Sequence, residues 1–155
     1  MSAFNFTYPP GETKIKIDIK DKQILVSRLS SDKKTKANHG TTRAHLANMV
    51  AGVVTPWVKQ LEIRGTGYKA AVNGAKLTLT VGFIHPVDII APPGIHISVT
   101  EETKITVSGI NKTIVSQIAS NIRKVKKPEP YQGKGIRYLD EFIKIKPGKA
   151  AKTES

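Results

Sequence analysis

The densest concentration of potential chemistry lies between Arg123 and Tyr138. Arg123-Lys124-Val125-Lys126-Lys127 is followed directly by Pro128-Glu129-Pro130-Tyr131-Gln132-Gly133-Lys134-Gly135-Ile136-Arg137-Tyr138. Lysine and arginine give charge-assisted contacts to phosphate, arginine in a bidentate fork. Glycines let backbone N–H groups approach a polyanion, prolines stiffen the entry, and two tyrosines supply stacking surfaces. Cations ending a helix would equally complement its dipole, and a basic run can be a solvated face. The Pro/Gly/Tyr segment attached to this run tips the reading toward nucleic acid, with structured RNA as the acidic partner.

The charge distribution agrees. The 155 residues carry 25 Lys+Arg against 12 Asp+Glu, a formal +13. From Lys112 to Lys149 ten basic residues face Glu129, Asp140 and Glu141, a local +7, whereas residues 78–111 sum to −2. The absence of cysteine excludes disulfide frameworks, thiolate metal sites and Cys nucleophiles and favours an intracellular setting. No apolar run approaches the roughly 18 residues of a membrane span, neither expected helix pairs a cationic face with large apolar anchors, and no membrane partner is expected. The first residues show neither a signal-peptide nor a presequence pattern, so the sequons at Asn5 and Asn111 are expected to stay unglycosylated.

Other chemistries find no support. Gly65-Thr66-Gly67-Tyr68-Lys69-Ala70 fits G-x-G-x-x-A, with Asp88 downstream, but a hairpin pattern follows where a dinucleotide site needs a helix, so a bend or bulge is expected. Gly133-Lys134 lacks the flanking residues of a P-loop. Histidines 39, 45, 85 and 96 have no metal-ligand spacing and no nucleophile nearby. Glu101-Glu102 and Asp140-Glu141 are adjacent pairs that diverge on a strand and read as surface charge. Trp57 is expected to plug the space between helix and sheet. No catalytic residue, metal or cofactor is expected.

Positioning the basic segment requires a folded scaffold, and the periodicities describe one. Residues 14–20 alternate charged residues with Ile15, Ile17 and Ile19, the pattern of a half-buried strand, with a turn at Asp21-Lys22 and a return over Ile24–Arg28. Ser30–Gly40, with Lys33, Lys34 and Lys36, reads as a solvated loop. Thr41 or Thr42 then caps a helix with Leu46, Met49, Val50 and Val53 on one face, stopped at Thr55-Pro56. Trp57–Ile63 and Tyr68–Val72 are extended, Asn73-Gly74 is a type I′ hairpin signal, and Leu77, Leu79 and Val81 alternate on the return. Short strands at Val87–Ile90 and Ile95–Val99 flank Pro92-Pro93-Gly94, and Lys104–Ser108 adds another. Asn111 caps a second helix carrying Val115, Ile118, Ile122 and Val125.

Ile24–Ser27 before the first helix parallels Ile105–Ser108 before the second. Two copies of a strand-rich unit, each with one helix on an antiparallel sheet, follow: an α+β chain of two similar small domains, 1–66 and 67–155, with the bend near Gly65–Gly67 between them.

Residues Lys127 to Tyr138 with Asp140-Glu141 resemble the C-terminal signature of the large-subunit ribosomal protein L six family, of bacterial and organellar type. So do His39-Gly40-Thr41-Thr42-Arg43 running into Asn48-Met49-Val50, Gly65 to Ala70, and Gly82-Phe83-Ile84-His85-Pro86-Val87. The resemblance spans about residue 15 to residue 149. It implies two similar α+β domains, the N-terminal one shortened here, in a non-enzymatic structural constituent of the large ribosomal subunit. It also implies binding of large-subunit (23S-type) rRNA through the C-terminal domain, near the sarcin–ricin loop and stalk base. Neighbouring large-subunit ribosomal proteins and translational GTPases would be close by, in cytoplasmic or organellar ribosomes. Pro130, Tyr131, Gly133, Lys134, Gly135, Arg137 and Tyr138 match the family's rRNA-contacting loop, and Arg123, Lys124, Lys126 and Lys127 its basic approach. Gln132 stands where the family usually has a cation. The alternative is a free-standing RNA-binding regulatory protein with the same basic loop.

Overall fold

A computed structural model describes residues 15–20 and 23–148, which fall into two compact units divided between Val50 and Ala51. The α+β class expected from the periodicities is what forms.

In the first unit, β1 (Ile15–Lys20) pairs antiparallel with β2 (Gln23–Arg28), Lys20 lying opposite Gln23. The turn expected at Asp21-Lys22 lies outside the described residues. Ile17 faces Val26 and Ile19 faces Ile24, so alternation does put the apolar residues on one face. That face is only partly covered: Ile15 and Val26 are half-buried, as expected, whereas Ile19 is 76% exposed and Ile17 43%. Period-two patterning specifies which residues share a face but not whether anything covers it.

The helix α1 (Lys33–Val54) corrects the expected loop at Ser30–Gly40 and the expected cap at Thr41 or Thr42. Asp32 starts it: its carboxylate accepts from the Thr35 N–H at 3.0 Å, and its carbonyl accepts from the Lys36 N–H at 3.0 Å. The lysines that suggested a loop are good helix formers on the exposed side, while Thr35 is buried. Thr41 donates its hydroxyl to the Ala37 carbonyl at 3.1 Å, one turn back inside the helix, and Thr42 is buried with no hydrogen-bond partner for its hydroxyl among the described residues. Leu46 and Met49 are half-buried, but Val50 and Val53 are exposed. His39 Nε2 lies 2.9 Å from the Val26 carbonyl, tying helix to hairpin. The stop at Thr55-Pro56 is as expected, since proline cannot continue the ladder.

The second unit holds a four-stranded antiparallel sheet and a three-stranded one. The first has the order β7 (Ile95–Thr100), β8 (Lys104–Gly109), β3 (Trp57–Arg64), β9 (Gly135–Tyr138). The other runs β4 (Lys69–Asn73), β5 (Lys76–Thr80), β6 (Val87–Ile90). Packed on the four-stranded sheet is α2 (Lys112–Val125), whose cap Asn111 accepts from the Thr113 and Ile114 N–H groups. Val115, Ala119 and Ile122 of α2 are buried in one core with Leu61, Ile63, Ile105, Val107 and Ile136 of the sheet. Leu77, Leu79 and Val81 are buried in the same core, as their alternation predicts.

β3 thus sits between β8 and β9, in the sheet of the second unit, upstream of the 66/67 boundary expected from the glycines. Gly65 (φ +150°) and Gly67 (φ +75°) instead bend the chain from one sheet of this unit into the other; a Cβ on Gly65 would come within 2.6 Å of the Tyr68 ring. The hairpin after β4 is present, but Asn73 pairs with Lys76, leaving Gly74-Ala75 as the loop. Gly74 has φ +61° and Ala75 does not share the positive sign, the pattern of a II′ rather than a I′ turn. Glu101 (φ +57°) and Glu102 (φ +56°) occupy the β7–β8 turn instead of a strand. Trp57 is half-buried against Gly52, with the Lys112 ammonium 4.4 Å from its ring centroid.

Candidate nucleic-acid interface

The Pro/Gly-rich segment read as wholly irregular ends in a strand. β9 pairs with β3 through Leu61↔Tyr138, Glu62↔Arg137, Ile63↔Ile136 and Arg64↔Gly135, and the fully buried Ile136 anchors it in the core. Pro128 to Gly133 is irregular, as its composition requires, yet closed on itself. The Glu129 N–H donates to the Lys134 carbonyl at 2.9 Å, and the Gly133 N–H, at φ +70°, returns to the Glu129 carbonyl at 3.1 Å. The Ile136 N–H donates to the Lys126 carbonyl at 2.8 Å. Gly135 is required by space as well as by φ (+137°), because a Cβ there would lie 2.7 Å from the Lys127 carbonyl oxygen and 2.7 Å from Pro128 Cα. The loop is therefore fixed before any partner arrives.

On this frame the site residues separate into two groups. Lys124, Lys127, Tyr131 and Lys134 are exposed, Tyr131 to 59%. Lys126 is half-buried with its ammonium 4.9 Å from the Phe83 ring centroid, and half-buried Pro130 accepts from the Lys146 N–H at 2.7 Å. Both arginines, in contrast, are engaged by carboxylates. Arg137 donates from Nε and Nη2 to Glu62 Oε2 at 3.1 and 2.8 Å. Arg123 donates from Nε to Glu141 Oε2 at 2.8 Å and from Nη2 to Glu141 Oε1, a bidentate pair. Tyr138 is half-buried, with the Arg123 guanidinium 5.8 Å and the Lys59 ammonium 6.0 Å from its ring centroid.

Partial burial pushes the Glu62 carboxyl upward, but hydrogen bonds from Arg137 and Arg64 outweigh it and hold the group below its ordinary range. The Glu141 carboxyl is lowered by the Arg123 hydrogen bond, against burial, with help from the Tyr138 N–H. Arg123 is correspondingly raised by Glu141. Both acids are ionised at neutral pH and committed to the fold.

Sequence reasoning missed both carboxylates. Glu62 reaches Arg137 only through the β3–β9 pairing, a register with no local signature. Glu141 reads in the sequence as surface charge beside Asp140, and its position four residues beyond Arg137 says nothing of the turn that carries it back to α2.

The family model described as Ribosomal protein L6 matches residues 5–55 and 64–139, including the whole of the basic loop. The chain belongs to the ribosomal protein L6 family. Among relatives, it is 53% identical over 138 residues to the large ribosomal subunit protein uL6 of Thermoanaerobacter sp. (strain X514), covering 89% of this chain and 77% of that protein. It is 49% identical to the uL6 of Enterococcus faecalis over 138 residues, 89% of this chain and 78% of the relative. The uL6 of Streptococcus suis (strain 05ZYH33) is 49% identical over 150 residues, 93% of this chain and 84% of the relative. The ribosomal protein L6 family is one of structural, non-enzymatic proteins, which agrees with the exclusion of catalytic constellations made from the sequence.

Proposed function

We propose that this chain is a structural constituent of the large ribosomal subunit that binds large-subunit rRNA through the closed loop at 127–135 and the lysines around it. The observation that carries the reading is the exposed Lys127, Lys134 and Tyr131 on a loop closed by its own backbone hydrogen bonds, with exposed Lys124 in the last turn of α2 before it. A preorganised cluster of cations loses little entropy on meeting a polyanion and releases counterions from it. The lysines are the phosphate ligands, Tyr131 is the stacking surface, and Gly133 and Gly135 shape the backbone between them. Arg123 and Arg137 hold the frame while adding to the positive field, and Gln132 contributes a neutral contact. RNA is recognised by shape and phosphate position more than by base identity.

The finer placement, near the sarcin–ricin loop and stalk base beside other large-subunit proteins and within reach of translational GTPases, rests on the family resemblance. Sedimentation of lysate containing the tagged full chain through a sucrose gradient after a high-salt wash tests the assignment. Migration with the large subunit that survives the wash is expected; a chain that stays at the top of the gradient replaces the proposal with the free-standing RNA binder. Cross-linking from Lys134 then locates the rRNA segment, and a cross-link far from the sarcin–ricin loop removes the finer placement.

A further inference from the structure

After Tyr138 the chain does not leave the molecule. The Glu141 N–H donates to the Tyr138 carbonyl at 3.0 Å, and the Glu141 carboxylate receives the Arg123 fork and, at 3.2 Å, the Tyr138 N–H. Five residues later the Lys146 N–H reaches the Pro130 carbonyl at 2.7 Å. Residues 141–146 are thereby tied as a strap between Arg123 and the closed loop, and the exposed Lys144 and Lys146 are carried on it. The strap has no regular secondary structure; Phe142 and Ile145 on it are exposed to 92% and 64%, and of its apolar side chains only Ile143 is half-buried. The clasp at Arg123 and the Pro130 hydrogen bond are its polar attachments among the described residues.

We infer that Glu141 is a positioning residue for RNA binding: a carboxylate in a basic surface that raises affinity for RNA phosphate by fixing Lys144 and Lys146 beside the 127–135 loop. The inference rests on the proposed rRNA-binding reading. Its sign runs against simple electrostatics. Removing a negative charge from a surface that meets RNA strengthens the positive field, and releasing Arg123 frees another cation; both effects tighten binding. Loss of the clasp acts in the other direction, since several strap residues must then be ordered at the moment of binding.

The test uses the full chain, deproteinised large-subunit rRNA and a fixed moderate salt concentration. E141Q is expected to bind about 5-fold or more weakly than the wild type, whereas D140N, which removes the same charge from an exposed neighbour, binds as tightly or more tightly. Replacing Lys144 and Lys146 together with Gln should weaken the wild type but cost much less in E141Q, a non-additivity that a general loss of stability does not produce. The charge swap R123E/E141R should recover affinity. If E141Q fails to fold, R123K, which keeps the charge and loses the fork, takes its place with the same expectation. Equal or tighter binding by E141Q, or full additivity with the strap lysines, overturns the inference while leaving the rRNA-binding reading standing. Failure of the wild type to bind rRNA removes both.

Discussion

Arg137 and Glu62, 75 residues apart in the chain, face each other across the β3–β9 ladder and are joined by two charge-assisted hydrogen bonds. Their side chains are only 17% and 22% exposed, so the pair is better shielded than an ordinary surface ion pair. An arginine that reads in the sequence as a phosphate ligand therefore also fastens the RNA-binding segment to the sheet. Arg137→Ala leaves Glu62 with Arg64 as its hydrogen-bonded cation among the described residues, and a destabilisation on the order of 1–2 kcal/mol is expected, a fall of a few degrees in Tm. Lys134→Ala, on the exposed loop, should leave Tm unchanged. Thermal unfolding of the two variants side by side checks the division; equal Tm values would mean that the Arg137 pair is energetically idle.

Acid should weaken the same frame. Glu62 and Glu141 both titrate lower in the folded chain than in the unfolded chain, because Arg137 and Arg64 stabilise one carboxylate and Arg123 the other. Their contribution is complete above the unfolded glutamate pKa of about 4.3 and drains away as pH falls through the lower folded values. Urea midpoints measured from pH 7 to pH 3 should therefore drop below about pH 4.5. In the double variant E62Q/E141Q the midpoint should be lower at pH 7 and depend less on pH in the acid range. An unchanged acid slope would place the titrating groups elsewhere.

The contrast between what was legible and what was not follows from the range of the forces involved. The strands at Ile95–Val99 and Lys104–Ser108, the Asn111 cap and the Val115/Ile122 face were readable because periodicity and capping are local. The first turns of α1 are not, since a run of lysines satisfies a solvated loop and an exposed helix face alike, and Asp32 caps the helix ahead of them. The Gly65–Gly67 bend is legible in the sequence, but its meaning is not: only the pairing of β3 with both β8 and β9 shows that it joins two sheets of one unit. In the basic segment, residue types announced the chemistry while the ion pairs that immobilise Arg123 and Arg137 depended on tertiary partners.

Thr42 offers a stabilising change. Its hydroxyl is buried in α1 with no partner among the described residues, a desolvation cost with no compensating bond. Thr42→Val keeps the β-branched shape and removes the polar atom, so a gain of roughly 0.5–1 kcal/mol is expected. Denaturant titration at pH 7 measures it; a loss of similar size would reveal that the hydroxyl has a partner in solution.

Gly135 tests whether the closed loop matters as a shape. Alanine at this position must take a φ of +137° and place its Cβ 2.7 Å from two backbone atoms of Lys127 and Pro128. Neither atom belongs to a flexible side chain, so the 127–135 loop must move away from β9, at a cost of order 2 kcal/mol. Gly133→Ala meets no atoms and carries only the penalty of its φ of +70°, about 1 kcal/mol. RNA affinity should fall further for Gly135→Ala than for Gly133→Ala under conditions where both remain folded. Equal losses would mean that local backbone strain, and not the seating of the loop on β9, governs recognition.

The exposed lysines give the most direct test of the interface. Lys127 and Lys134 lie on the loop surface, while Glu101 and Glu102 sit in the β7–β8 turn, paired with Lys104 at 2.7 Å and Lys69 at 3.1 Å. If each lysine neutralises one phosphate, removing both lowers the magnitude of the log–log salt slope by about 1.4–1.8 and weakens binding at low salt far more than at high salt. Glu101→Gln with Glu102→Gln should change the slope by much less than this and alter affinity only slightly through the long-range field. Filter binding of both double variants to large-subunit rRNA, from low to moderate salt, measures the two slopes together. A slope that stays as steep without Lys127 and Lys134 would move the phosphate contacts off the loop; a flat slope for the wild type would remove the electrostatic mechanism altogether.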